Sequence, residues 1–214
     1  MAIRNYSGQT FVAFLDISGF KELMKQNNRA LKALNRLYQI GYDTIKAGSP
    51  IEGIFISDCG VLFVRDTDNK YQDLCNLLNG IKEINRRMLI DDFLTVTSIA
   101  YGQFKYQDKL EIEGIEKNAV YGGAYVEAFF DNEKGEPKIK VGQVRVINKN
   151  IPPEVIEAVE GQGDQTARLL KRKGKHFYYY WSIENPEESE ELDRKYKDSY
   201  NLVFSGIVKA LKGE

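Results

Sequence analysis

Two aspartates lie in apolar segments where a buried strand has no structural use for a charge. Asp16 falls in FVAFLDISGF (residues 11–20), and Asp58 falls in IFISDCGVLF (residues 54–63). An ionised carboxylate in apolar surroundings costs several kcal/mol unless a cation or a hydrogen-bond donor compensates it. If the two strands are neighbours in one sheet, the carboxylates form an oxygen cage suited to Mg²⁺ carrying a phosphate ligand. The pair therefore predicts a metal-dependent site for nucleotidyl transfer.

Each feature of these segments also has a purely structural interpretation. Asp16 could cap the end of its strand, and Asp58 could be an ordinary turn residue, since aspartate is common in turns. Cys59 is interpreted as a small buried side chain rather than a nucleophile, because no histidine or other basic partner is evident. The single histidine, His176, is interpreted as structural. The two aspartates together, in this context, favour the metal interpretation.

The elements that must position these residues follow from the spacing of apolar side chains. A nearly continuous apolar run predicts a central strand over residues 11–18, and apolar residues at helical spacing predict helices over the next thirty or so positions and over 70–89. Further strands are predicted at residues 51–56, 60–64, 93–104, 138–147 and 175–183, with a bulge or bend at Gly102, a polar loop at 108–118 and helices at 120–130 and from Pro152.

The predicted order is β-α-α-β-β-α-β followed by α-β-β. This order indicates an α+β sandwich with a ferredoxin-like, palm-type split βαβ core, a mixed or antiparallel sheet, and helices on one face. The domain is expected to span residues 1–185. Residues 186–214 are predicted to form a C-terminal amphipathic helix packed on or near it, with acidic residues at its N-terminal end.

Composition narrows the function classes. The chain has 214 residues, a formal net charge of -1 and a pI near 6.0, which argue against general binding to nucleic acid or a membrane surface. Two cysteines offer no disulfide framework or metal spacing, and one histidine argues against a histidine-rich zinc site. No stretch has the length of a membrane span or the features of a signal peptide, so a soluble, cytoplasmic protein is expected.

Four motifs carry a resemblance to a known family. They are FLDISGF at residues 14–20, SDC at 57–59, GGAYVEA at 122–128 and PKI at 137–139. Together, across residues 9–183, they make the chain similar to the class III nucleotidyl cyclase catalytic domain. Within that family it most resembles the bacterial Pycsar pyrimidine cyclases, which make uridylate or cytidylate messengers in anti-phage defence.

The resemblance implies roles for the two aspartates and their neighbours. Asp16 and Asp58 would hold two Mg²⁺ or Mn²⁺ ions, with the Ile17 carbonyl as a further ligand. The nucleotide phosphates would be bound beside them by the backbone amides at a helix start and by the hairpin turn, that is by Ser18, Gly19, Phe20 and Ser57.

The resemblance also implies a partner subunit. Lys173, in the Arg-Lys-Gly-Lys run of residues 172–175, would neutralise the triphosphate. Cyclases of this class build composite sites across a head-to-tail dimer, so a homodimer is expected. No nucleic acid and no membrane are expected as partners.

The chain departs from the purine cyclases at the positions that read a purine and orient the ribose. Ile54, Ala119, Val126 and Phe130 stand where those enzymes carry polar or charged residues, which favours a smaller base. An expected arginine near residues 96–97 is also missing, and Lys138 replaces the arginine of a Pro-Arg-Ile motif, keeping the charge without a bidentate contact. The cation that stabilises the transition state is expected to be one of Lys138, Lys105 and Arg168.

The sequence thus predicts a lyase that converts a nucleoside triphosphate, with UTP or CTP favoured, to its 3′,5′-cyclic monophosphate and pyrophosphate. Two alternatives stay open. One is a purine cyclase or a palm-fold cyclic oligonucleotide synthase, although the hairpin carries one acid rather than two. The other is a nucleotide-binding homologue without turnover.

Overall fold

A computed structural model describes residues 4–46, 50–112 and 115–183, with the side chains of 108–118 left undescribed. The helix predicted at residues 186–214 lies outside these ranges. The strands are β1 (Tyr6–Ile17), β2 (Ile51–Ile56), β3 (Cys59–Val64), β4 (Thr95–Ile112), β5 (Ile115–Tyr121), β6 (Val144–Ile147), β7 (Leu170–Lys173) and β8 (His176–Tyr179). The helices are α1 (Phe20–Leu23), α2 (Asn27–Lys46), α3 (Lys70–Ile90), α4 (Gly123–Lys134), α5 (Pro153–Glu160) and α6 (Gln165–Arg168).

The strands form one mixed sheet in the order β2-β3-β1-β4-β6-β8-β7, with β5 paired to β4. All described pairings are antiparallel except that of β4 with β6. The α+β class and the mixed sheet predicted from the sequence are confirmed. Within the described ranges, no helix combines the length and the apolar character needed to cross a membrane.

Helices cover both faces of the sheet. On β1, Phe11, Ala13 and Leu15 belong to the larger apolar cluster, which includes residues of α2, α3 and α5. Val12 and Phe14 belong to a second cluster that includes Ala124 and Ala128 of α4. The expectation of helices on one face is therefore wrong. Side chains of a strand alternate between faces, and every residue from 11 to 15 is apolar and buried, so both faces need cover.

Several local predictions also need correction. In the polar segment predicted as a loop at 108–118, residues of 108–112 in β4 pair with residues of 115–118 in β5. The strand predicted at residues 138–147 begins only at Val144, and β7 was not predicted. Gly102 pairs regularly with Thr10, so it makes no bulge; the register shift lies between Leu110 and Ile112.

Gly122 explains where α4 begins. Its φ is 133°, and an added Cβ would lie 2.3 Å from the Gln103 carbonyl oxygen of β4. Only glycine allows both this backbone conformation and this close approach. The chain can therefore leave β5 and turn at once into a helix that packs across β1 and β4.

Candidate metal centre

The β2–β3 hairpin and the end of β1 bring the two aspartates together. Asp16 pairs with Cys59 in the antiparallel register of β1 and β3, and residues 57–58 form the two-residue turn of the hairpin. Ser57 adopts a left-handed φ of 55°, as tight hairpin turns require. The backbone N–H of Ile17 donates to the Asp58 carbonyl at 3.0 Å, which ties the turn to β1.

Three potential ligand side chains meet at this point. One carboxylate oxygen each of Asp16 and Asp58 and the Cys59 sulfur all lie within 4.8 Å of one another. The Cys59 thiol donates to Asp16 Oδ1 at 3.5 Å, and the Ser57 hydroxyl donates to Asp58 Oδ1 at 3.0 Å. The convergence of carboxylates that the sequence predicted is present in the fold. Cys59, interpreted from the sequence as a small buried side chain, is only half-buried, because it pairs with Asp16 at the end of β1, and it is part of the same cluster.

The electrostatics of the cluster suit a cation. Burial first, and the negative charge of Asp58 second, raise the pKa of Asp16 to about 7, although the hydrogen bond from Cys59 lowers it. Glu133, at the end of α4, adds a smaller unfavourable charge interaction. Ionised Asp16 is therefore costly without a counter-charge, and a divalent cation supplies one. Two carboxylates that are half-buried and adjacent fit a divalent metal ion.

The segment after Asp16 forms the phosphate side of the predicted site. Gly19 has a φ of 72° and turns the chain from β1 into the short helix α1. The Ser18 amide donates to the Leu94 carbonyl at 2.8 Å, so it is engaged and not directed at a phosphate as the sequence suggested. The Ser18 hydroxyl is buried and has no hydrogen-bond partner among the described residues.

The structure does not bring Lys173 to the aspartates of its own chain. Lys173 ends β7, four strands from β1 in the sheet order, which corresponds to about 19 Å at the usual spacing of neighbouring strands. Its ammonium nitrogen lies 5.5 Å from the centre of the Tyr180 ring. A role for Lys173 at a site containing Asp16 requires a second chain.

The three candidate cations fall in different places. Lys138 is exposed on the loop before β6, and the Gly142 N–H of that loop donates to Thr95, the partner of Ile17. That loop thus runs at the same end of the sheet as Asp16. Lys105 pairs with Ser7, about 30 Å along β1 from Asp16 at the usual rise per residue, so the structure excludes it from this chain's own site. Arg168 lies on α6 and donates to the Gln162 carbonyl at 3.2 Å.

The positions that would read a purine are apolar in the fold as well as in the sequence. Ile54 is buried in the apolar cluster beneath α4, which also contains Val61 and Phe14. Val126 and Phe130 lie one turn apart on α4, and they are 44% and 52% exposed. At these positions the chain offers no side-chain hydrogen bond to a base.

Sequence reasoning missed a buried ionic cluster beside the site. Arg145 is fully buried; its Nε donates to Asp131 Oδ2 at 2.7 Å and its Nη1 donates to the Pro137 carbonyl at 2.6 Å. Burial opposes the ionised form of Asp131, but hydrogen bonds from His176, Arg145 and Ser98 hold its pKa below the ordinary value. The cluster fastens α4 to β4, β6 and β8. A lone charge inside the apolar run Val144–Ile147 is the same signal that identified Asp16.

Comparison with known proteins identifies the fold. No protein-family profile matches the chain, and no curated protein sequence matches it. Solved structures of adenylyl and guanylyl cyclase domains do match. The adenylyl cyclase CyaB from P. aeruginosa superposes with a TM-score of 0.56 at 14% identity, over 86% of this chain and 97% of that one.

Two further structures give similar values. The guanylate cyclase domain of RhGC from Catenaria anguillulae, in complex with GTP, has a TM-score of 0.57 at 14% identity, over 83% of this chain and 97% of that one. A dimeric guanylyl cyclase domain of the RhoGC fusion protein from Blastocladiella emersonii has a TM-score of 0.56 at 13% identity, over 83% of this chain and 97% of that one. At these identities the likeness is one of fold.

Proposed function

We propose that this chain is a nucleotidyl cyclase that converts a nucleoside triphosphate to its 3′,5′-cyclic monophosphate and pyrophosphate. The observation that carries the proposal is the convergence of Asp16 and Asp58 at the end of β1, within a fold whose solved neighbours are adenylyl and guanylyl cyclase domains. One of those neighbours is described in complex with GTP, so the fold accommodates a triphosphate in a relative.

In the proposed chemistry, the two carboxylates hold a divalent metal ion beside the nucleotide. A divalent metal bound there would lower the pKa of the ribose 3′-hydroxyl and screen the triphosphate charge. Asp16 and Asp58, with the Ile17 carbonyl, would hold the metal. The hairpin tie between Ile17 and Asp58 keeps the two acids in register, so little reorganisation is needed when a nucleotide binds.

Phosphate binding is assigned to the turn after β1. The amides of Gly19 and Phe20 are the proposed contacts, and the Ser57 hydroxyl would join them by turning away from Asp58 Oδ1; the buried Ser18 hydroxyl is a further donor that lacks a partner in the described structure. Lys138 is the proposed cation for charge that develops at the α-phosphate, because its loop runs at the Asp16 end of the sheet.

A homodimer is part of the proposal. Lys173 lies too far from Asp16 within one chain, so its proposed triphosphate contact would come from the partner copy. Of the structure neighbours, one guanylyl cyclase domain is described as dimeric and a domain of the same fusion protein as monomeric. The assembly state of this chain in solution is therefore a direct test.

The proposed substrate is a pyrimidine nucleoside triphosphate. The proposed product acts as a messenger in bacterial anti-phage defence. Support for the base comes from Ile54, Val126 and Phe130, which offer no hydrogen bond to a purine. Support for the messenger role comes from the four sequence motifs alone.

The proposal is tested by incubating the protein with ATP, GTP, CTP and UTP separately in Mn²⁺, followed by chromatography and mass spectrometry of the products. We expect a cyclic pyrimidine monophosphate from the wild type, none from Asp16→Asn or Asp58→Asn, and a normal yield from the exposed-site control Asp68→Asn. A cyclic purine monophosphate would overturn the base assignment alone. A dinucleotide, or no product from any substrate, would overturn cyclase activity, and full activity in the Asp16 and Asp58 variants would overturn the site.

A further inference from the structure

The ligand set at the end of β1 contains a sulfur as well as two carboxylates. Cys59 is one of two free cysteines, and it shares a face of the sheet with Asp16 through direct cross-strand pairing. Hard cations such as Mg²⁺ take oxygen ligands, whereas Zn²⁺ and related ions accept thiolate, imidazole and carboxylate together. The sulfur therefore has a bearing on which metal the site prefers.

The spacing of the ligand atoms fits such a metal. With zinc–oxygen and zinc–sulfur bonds of about 2.1 and 2.3 Å, two ligands in a tetrahedral arrangement lie about 3.6 Å apart. Asp16 Oδ1 and the Cys59 sulfur are 3.5 Å apart, and the Asp58 oxygen completes a triangle with no edge above 4.8 Å. The three atoms can contact one ion with only small side-chain rotations. A fourth position is left for water.

The backbone holds this triangle in place. Asp16 and Cys59 are paired residues of β1 and β3, and Asp58 is tied to β1 by the hydrogen bond from the Ile17 amide at 3.0 Å. Ser57 in turn donates to Asp58 Oδ1, which orients the carboxylate. A site built on paired strands is more rigid than one built on loops, and preformed ligands favour tight binding.

We propose that Asp16, Asp58 and Cys59 form a binding site for a thiophilic divalent cation of the zinc class, which competes with Mg²⁺ at the proposed catalytic centre. The competition rests on the proposed function; the ligand set does not. Binding replaces the S–H bond of Cys59 by a metal–sulfur bond, and the released proton passes to the solvent. The hydrogen bond from the thiol to Asp16 is lost at the same time, and the positive charge of the metal compensates the negative charges of both side chains. Zinc would then act as an inhibitor of the cyclase.

The ligation is tested with Co²⁺, a spectroscopically visible substitute for Zn²⁺. The wild type is titrated in the absence of other divalent ions, and the near-ultraviolet absorption is scanned for a sulfur-to-cobalt charge-transfer band. We expect one equivalent of Co²⁺ to produce the band and Zn²⁺ to abolish it. Cys59→Ser should lack the band, and the matched control Cys75→Ser, which removes the other cysteine from α3, should retain it.

Affinity gives a second readout. Competition of Zn²⁺ against bound Mn²⁺, followed by the electron paramagnetic resonance signal of free Mn²⁺, should show Zn²⁺ binding weakened about tenfold or more in Cys59→Ser. Urea unfolding of that variant in chelator verifies that it folds. The inference is overturned if the wild type gives no band, if Cys59→Ser keeps it, or if the Zn²⁺ affinities of the two proteins agree.

The outcomes separate this inference from the proposed function. A cobalt–sulfur band in a protein that makes no cyclic nucleotide would retain the metal site and reject the cyclase. A working cyclase without the band, and equally sensitive to Zn²⁺ with and without Cys59, would retain the enzyme and reject the sulfur ligand.

Discussion

Replacing Asp16 by asparagine is expected to stabilise the metal-free protein at pH 8 while having little effect near pH 4. The cause is the pKa of Asp16, which burial and the charge of Asp58 raise from 3.8 to about 7. Asparagine has nearly the same shape and never ionises. The variant thus removes the cost of the charge without leaving a cavity.

The direction in which stability changes with pH follows from proton binding by the folded and unfolded states. Between pH 3.8 and about 7 the folded protein keeps a proton on Asp16 that the unfolded chain has lost, so the wild type loses stability as the pH rises through this window. A pKa that rises from 3.8 in the unfolded chain to about 7 in the folded protein corresponds to about 4 kcal/mol. Asp16 is only half-buried, and halving this value for solvent screening leaves about 2 kcal/mol. For a chain of this size, that is a rise of about 4–8 °C in Tm.

The assay is urea and thermal unfolding of the wild type, Asp16→Asn and the exposed-site control Asp68→Asn, each in chelator at pH 4 and pH 8. Asp16→Asn should have a higher free energy of unfolding and a higher Tm than the wild type at pH 8 only. Asp68→Asn should match the wild type in both quantities at both pH values. Added Mn²⁺ should stabilise the wild type and not Asp16→Asn. A variant less stable than the wild type at pH 8, or a difference independent of pH, would refute the reasoning.

Three further perturbations test other parts of the account. Arg145→Met should lower the free energy of unfolding by about 3–5 kcal/mol because buried Asp131 loses its arginine partner and keeps only its contacts with His176 and Ser98, and urea titration should show part of this recovered in the double variant with Asp131→Asn. Gly122→Ala should cost about 1–3 kcal/mol through its left-handed backbone and its contact with β4, measured as a fall in Tm. Co-expressed Asp16→Asn and Lys173→Ala chains, each inactive alone, should regain about a quarter of wild-type cyclase activity, since a mixed dimer has one intact composite site; no recovery would contradict the composite site.

The sequence predicted the centre of the fold because the signals there are local. Apart from Asp16, residues 11–17 are all apolar, which predicted a central strand, although the helices were wrongly expected on one face only. Two apolar segments on either side of a short turn predicted the hairpin of residues 51–64, and the predicted strand bounds lie within one residue of those observed. The two aspartates stood out since a charge is costly in such segments.

Other elements were missed because they depend on pairing between distant residues. The polar stretch at 108–118 has a loop-like composition, yet residues of 108–112 in β4 pair with residues of 115–118 in β5. The strand β7 reads Leu-Lys-Arg-Lys, and charged residues of this kind are typical of a sheet edge, the place β7 occupies. The partner of Arg145 comes from a helix fourteen residues earlier, so only the fold reveals their ion pair.

The most direct test of the central claim is a crystal structure with Mn²⁺ and a non-hydrolysable analogue of UTP. We predict anomalous density for manganese in contact with the carboxylates of both Asp16 and Asp58 and with phosphate oxygens of the nucleotide. Manganese bound elsewhere, or a nucleotide that binds with no metal between these two side chains, would contradict the account.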